Sequence, residues 1–450
     1  MNFALIAVAA VQLSGQPAPH PIQDGQVAPR LSPAAWRADI HQFRNEVVLR
    51  DQAFDAVSRE QAAERLASLE ARLSGLSDAE ITGELARIAA LADNAHTRLD
   101  PLRNRERWSR LPVRLWKFSD GWRVVATRRD QTAWLGARVL GINEIPVEEG
   151  AAKVRPLFAG NAAWADYMAG YSLVSPEALQ ASGVIERGPV VFAIATSAGR
   201  RDVVFSPEPL EGRSRPDENW WHLASVDPRT SGWSHRPHSR AMLVFERSEL
   251  SYVFVRCREN VAYLRLNRTA DQAGRTPLAD WGREVLAELD RHPPAKLVID
   301  LRFNTGGDLS KALPFIGSIA ASALGQRPDG LAVLINGQTF SAGITQAAWL
   351  RLHSRARFFG EPVGDETSFW AEGDNVLLRH SGLTARYSDG GHHYSSTPIP
   401  QSMRERVVFS LPAPSLEPDH RVGWSWDEYA AGLDPVLEAA SPDLQCEPVR

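Results

Sequence analysis

The run KLVIDLR, Lys296 to Arg302, is apolar at consecutive rather than alternate positions, so as a strand it must be covered on both faces. Such coverage calls for helices packed on a largely parallel sheet, and the flanking sequence supplies them. LADWGREVLAELD places Leu278, Trp281, Val285 and Leu289 on one helical side. LSKALPFIGSIAAS is helical, LAVLING a strand, AGITQAAWLRLH a helix and ARFFG another strand, with VAYLRL as a strand upstream. An α/β domain is expected over 243–450.

The preceding segments have different periods. From Pro33 to about Leu91 the pattern is helical, with Leu66, Leu69, Leu73 and Leu76 on one face. Ser77 to Glu80 reads as a capping box opening a second helix that carries Ile81, Leu85, Ile88 and Leu91. That helix ends near Asp93-Asn94, leaving His96 in a loop, so 21–110 is expected to be a helical region. From Leu111 to about Phe205 short runs alternate between turn signals, a β-rich module expected over 111–242 with its linker. Within it, ARVLGINEIPVEEGAAKV reads as strand, turn, strand, helix and resembles the central segment of a PDZ domain. Of the tryptophans in the Pro- and Arg-rich stretch 208–240, Trp220, Trp221 and Trp233 are expected to pin a loop onto a core.

Composition narrows the function classes. A formal net charge of -4 over 450 residues argues against nucleic acid as the main partner. No stretch after the first residues is apolar enough to span a bilayer. MNFALIAVAAVQLSG resembles a signal-peptide core with a cleavage zone near Ser14 to Gln16, so 1–20 is expected to direct export to a periplasmic or extracellular compartment. The two cysteines, Cys257 and Cys446, form no scaffold, and Cys257 is expected as a core thiol rather than a disulfide partner. No cofactor or metal is implied: HExxH is missing, and His392-His393 in DGGHHYSST are expected in an exposed turn.

Two strand-loop-helix units carry the chemistry. LVIDLR feeds Phe303-Asn304-Thr305-Gly306-Gly307-Asp308, where paired glycines and a helix start make a site for a carboxylate, a phosphate or a transient oxyanion. LAVLING leads to Gln338-Thr339-Phe340-Ser341-Ala342-Gly343 before a helix. A serine there is by default an N-cap, but Ala342 and Gly343 leave open space around the hydroxyl, as a nucleophile needs. Arg302 is expected in a salt bridge that fixes the first loop.

Taken in order, LADNAHTRL, VIDLRFNTGGD, VLINGQTFSAGITQA, RFFGEPVGD and LEPDHRV with GLDPVLEAA resemble the C-terminal-processing, or tail-specific, serine peptidases, closest to their tricorn-core-like branch. The resemblance implies a ClpP/crotonase-like α/β catalytic domain beside a PDZ-like module. It also implies a peptide or protein substrate, Ser341 as nucleophile, and oxyanion donors at Ala342 and at Gly306 or Gly307. The tail-specific lysine after the GEP segment is missing here, and His96 matches the upstream histidine of the tricorn-like branch as general acid/base. The carboxylate orienting it is sought among Glu366, Glu361 and Asp365, Glu366 first. The rivals are a catalytically inactive peptide- or hydrophobic-ligand-binding protein on the same fold and, more distantly, an acyl-CoA enzyme of crotonase type.

Overall fold

The computed structural model describes residues 30–450 apart from 105–106, 187, 197–198, 209–222, 224–231, 236–241, 443, 447–448 and 450. The leader-like run, Trp220 and Trp221 therefore lie outside the described residues.

Three helices come first: α1 (Pro33–Phe43), α2 (Ala56–Arg72) and α3 (Asp78–Ala90). The capping box forms as read, Ser77 Oγ accepting the Glu80 N–H (3.3 Å) and Glu80 Oε2 accepting the Ser77 N–H (2.7 Å). Leu66, Leu69, Leu73, Ile81, Leu85 and Ile88 are buried together, and this burial rather than helix propensity stabilises the pair.

The β-rich part runs β1 (Val113–Phe118), β2 (Gly121–Arg128), β3 (Arg138–Ile142), β4 (Ile145–Pro146), α4 (Val147–Val154), α5 (Ala162–Ser172), α6 (Pro176–Ala181), β5 (Val190–Thr196), β6 (Gly199–Phe205) and β7 (Trp233–His235). Its sheet has the order β1-β2-β3-β5-β6, with β4 on β3 and β7 on β2. The strand-turn-strand-helix reading of 137–154 holds, with Asn143 taking the left-handed turn position (φ 52°). Trp233 is buried, its ring lying against the guanidinium groups of Arg114 (4.2 Å) and Arg128 (4.3 Å), which is the pinning role expected of it.

The α/β part contains β8 (Tyr252–Cys257), β9 (Val261–Leu266), α7 (Leu278–Arg291), β10 (Lys296–Asp300), α8 (Leu309–Ala321), β11 (Leu331–Ile335), α9 (Ala342–His353) and β12 (Arg357–Gly360). The sheet order is β16-β12-β11-β10-β9-β8, where β16 is His420–Arg421; all neighbours are parallel except β8 on β9. One face packs Leu297 and Ile299 against α7, α8 and α9; the other packs Val298 and Leu334 against Val436, Leu437 and Ala440. The doubly covered strand that KLVIDLR demanded is thus β10.

Between β12 and β16 the chain forms a second sheet, β13 (Ser368–Ala371), β14 (Gly390–His393) and β15 (Val407–Ser410), and sends Thr384–Arg386 back to pair with Arg98–Leu99. Two expectations fail here and at the C-terminus. His392 and His393 are buried on β14 rather than exposed in a turn, because Gly390 and Gly391 pair with β13 and give way to Met403 and Val408. Cys257 and Cys446 form a disulfide, since the chain end returns as a bridge beside β8 and brings residues 189 apart in sequence together. No helix among the described residues is long and apolar enough to cross a membrane.

Candidate active site

Ser341 begins α9 directly after the β11 loop, and its backbone is strained, with φ 54° and ψ -123°. A non-glycine residue at such angles costs energy that its surroundings must offset. Here the loop is stitched down: Phe340 N–H donates to Asn304 O (2.9 Å), Gly343 N–H to Phe340 O (2.9 Å) and Thr339 Oγ1 to Leu301 O (2.9 Å). The default role of a helix-start serine does not apply, because Ser341 makes no side-chain cap bond. Its hydroxyl lies instead against Gly306 (φ 97°), where an added Cβ would come within 3.1 Å of Oγ and 2.6 Å of Cβ.

The glycine loop is ordered by Asn304. Its Oδ1 accepts from Gly306 N–H (3.0 Å) and from Thr269 Oγ1 (3.2 Å), while Gln346 of α9 donates to that same threonine oxygen (2.7 Å). Thr269 N–H donates to Gly306 O (2.9 Å) and Asp308 N–H to Thr269 O (2.7 Å). The Gly306 N–H is thus already engaged. Gly307 and Ala342 N–H groups donate to no backbone or side-chain acceptor among the described residues.

His96 reaches this loop pair from the far end of the sequence. Asn94 donates to Thr97 Oγ1 (2.9 Å) and Ser388 Oγ (3.3 Å) and accepts from Trp370 N–H (3.0 Å). Thr97 Oγ1 donates to Asp51 Oδ2 (2.6 Å), which also accepts from Ser388 N–H (2.8 Å). The imidazole is 4% exposed and lies between Phe340 (centroids 4.2 Å) and Phe369 (5.2 Å). Trp164 of α5 stacks on the other side of Phe340 (4.3 Å).

The carboxylate facing His96 is Asp365, with Oδ2 3.4 Å from Nδ1 and both side chains buried. Glu366, ranked first from the sequence, is exposed and turned away. The reason is local: Asp365 Oδ1 accepts the Glu366 N–H (3.0 Å), and Asn161 holds the segment by donating to Val363 O (2.8 Å) and Asp365 O (3.1 Å). Glu361 packs its carboxyl over Gly423. Burial, and next the like charge of Glu366, push the Asp365 carboxyl up to about 8. Burial also keeps the His96 imidazole well below its ordinary range, helped by Arg98, Arg386 and His392. Neither ring nitrogen has a hydrogen bond among the described residues, so no bond joins His96 to Ser341 Oγ in this arrangement.

Arg302 takes the blander of its two roles: Asp300 and Asp434 enclose its guanidinium at 2.6–2.8 Å below the glycine loop. His392 Nε2 lies 2.8 Å from Glu372 Oε1 and its Nδ1 2.6 Å from the Tyr394 hydroxyl, both at hydrogen-bond distance; His393 bonds Ser368 and Thr397. Among the described residues no group of three or more His, Cys, Asp or Glu side chains is placed to hold a metal. Asn161, Gln338 and Phe340 were not legible as site residues. Asn161 caps α5, but its partners at the site lie about 200 positions away.

No protein-family model matches the chain, and no curated protein matches it. Solved structures do. Mature CPAF complexed with lactacystin aligns with a TM-score of 0.57 at 13% identity, covering 91% of this chain and 98% of that one. Mature CPAF alone gives 0.57 and 13%, covering 91% and 97%. The photosystem II D1 C-terminal processing protease aligns at 0.37 and 13%, covering 90% and 98%. The CPAF likeness runs through nearly the whole of both chains, and it shows a shared multi-domain α/β fold.

Proposed function

We propose that the chain is a serine peptidase acting through an acyl-enzyme, with Ser341 as nucleophile, His96 as general acid/base and Asp365 as the carboxylate that orients the imidazole. The observation that carries this reading is the state of Ser341: a strained residue at a helix start, its hydroxyl spent on no cap, set against a glycine and beside two undirected N–H groups. The shared fold with CPAF and the ordered motif series support it.

In the reaction, His96 Nε2 takes the proton of Ser341 Oγ as oxygen bonds to the scissile carbonyl carbon. Gly307 and Ala342 N–H groups receive the oxyanion, each worth about 3 kcal/mol. Collapse breaks the C–N bond, and the amine leaves with the proton from Nε2. Water then repeats the sequence and frees the acid and Ser341. The resting imidazole is stacked between two phenylalanines, so the Ser341–His96 bond forms on substrate entry by a small movement of either side chain. The disulfide supports export, since such bonds persist in oxidising compartments. The rival reading, a binding protein on the same fold, rests on that missing bond.

Fluorophosphonate labelling separates the two. Wild type should label at Ser341, Ser341→Ala should not, and His96→Ala should label about a thousandfold more slowly, the scale of losing a triad member. A folded wild type that ignores the reagent would sink the peptidase.

A further inference from the structure

A groove of about 560 Å³ lies between β1, the terminal strand of its sheet, and the loops that lead to Ser341 and Asp365. Trp116, Asp166 and Tyr167 form one wall; Gln338, Glu361 and Gly423 form the other. The cations lining it among the described residues are already matched, Lys117 by Asp166 (3.0 Å) and Arg421 by Glu417 (2.6 Å). The Glu361 carboxylate has no hydrogen bond or ion pair among the described residues, and it lies so close over Gly423 that a Cβ there would sit 2.8 Å from Oε1. Gln338, three residues before Ser341, is 1% exposed, yet neither its Oε1 nor its Nε2 has a partner among the described residues. A buried carboxamide left wholly unpaired is rare, and its donor and acceptor match those of a peptide group.

We propose that this groove receives a basic side chain, arginine or lysine, of the substrate peptide. Glu361 is its counter-ion, and Gln338 is hydrogen-bonded to the peptide group that carries it. The inference rests on the peptidase reading for the word substrate, but not for the binding. The aromatic wall suits a guanidinium, which keeps part of its attraction over a ring face. Although Glu361 is open to the groove, the surrounding protein strips its hydration. With Asp166 near, this holds its carboxyl above the usual range, the condition in which an arriving cation gains most.

The test uses the full chain carrying Ser341→Ala, so that nothing is turned over, and fluorescence anisotropy of short labelled alanine-glycine peptides. The peptides bear a single arginine or its uncharged isostere citrulline. Binding about tenfold tighter for arginine is expected, the scale of one well-placed ion pair. The preference should fall to within about twofold in Glu361→Gln and should shrink with added salt. Should the glutamine variant misfold, the salt series and the arginine–citrulline comparison on intact Glu361 decide the matter alone. Equal affinity for the two peptides, binding of neither, or a preference that survives Glu361→Gln overturns the inference. The peptidase reading fails separately: arginine preference with an unlabelled wild-type Ser341 keeps the groove and removes the enzyme. Labelling and hydrolysis indifferent to arginine do the reverse.

Discussion

At the scale of single residues, the His96–Asp365 pair sets stability against chemistry. The folded carboxyl holds its proton to about pH 8, against 3.8 for the exposed group. A folded pKa above the unfolded one gives stability that is complete below 3.8 and is lost as pH rises toward 8, because folding must then retain or strip a buried proton. Asp365→Asn removes that dependence. It should therefore raise the melting temperature relative to wild type most at about pH 8 and least at about pH 4, while lowering kcat/KM about 10⁴-fold by fixing the wrong imidazole tautomer. Thermal melts across that window check the sign; an advantage that grows toward acid would mean the carboxyl sits ionised in the fold. Activity itself should rise along a limb set by the pair, displaced to the alkaline side of an ordinary histidine.

Among elements, the two loops beside Ser341 divide the work. Gly306 supplies room and a left-handed turn rather than a donor, its N–H being held by Asn304. Gly306→Ala adds a Cβ 2.6 Å from that of Ser341 at φ 97°, so it should cost at least about 1–2 kcal/mol of stability. It should also cut fluorophosphonate labelling at least about a hundredfold; labelling at the wild-type rate would show that the glycine is not needed for space. Asn161→Ala removes both the cap of α5, where Oδ1 accepts from Trp164 N–H (3.0 Å), and the hold on Asp365. The cap is worth about 1 kcal/mol by itself. If Asn161 also positions the carboxylate, kcat should fall with little change in KM, and Asn161→Asp, which keeps the cap, should not restore it.

These elements show what the sequence could and could not disclose. Consecutive apolar residues in KLVIDLR required a doubly covered strand, and the glycine pair and the serine after β11 are local signals read within a few positions. Asp365 and Glu366 are neighbours with the same chemistry, so their ranking depended on which way the turn faces, and that is set by Asn161 from another part of the chain. The buried His392 misled for a similar reason: two glycines mark a turn as readily as a strand over which Met403 can close.

Across the whole molecule, the site is assembled from segments at both ends. His96 follows the N-terminal helices and is braced by Asp51 and by Ser388 of the insertion after β12. Burial pushes the Asp51 carboxyl up to about 6 even though it accepts from Thr97, Ala53 and Ser388, which marks this junction as tightly enclosed. The far end is fastened by Cys257–Cys446, a pairing that two cysteines in a sequence give no means of predicting. Closing a loop between residues 189 apart limits the unfolded chain, and the entropic scale for it is about 5 kcal/mol. The measured effect should be smaller, about 2–4 kcal/mol, because the reduced tail can leave β8 while the sheet stays folded. The bridge lies beside Arg258, whose N–H donates to Gln445 O (2.7 Å), on an edge strand two places from β10. Reductant should therefore lower the denaturation midpoint of wild type but not of Cys446→Ser, and both should still label at Ser341 at native rates. A wild-type midpoint indifferent to reductant would deny the tail any part in stability. Loss of labelling on reduction would tie the edge strand to the nucleophile loop, by way of Ser251, whose carbonyl accepts from Asn267 N–H (2.7 Å), and Thr269, whose N–H donates to Gly306 O (2.9 Å).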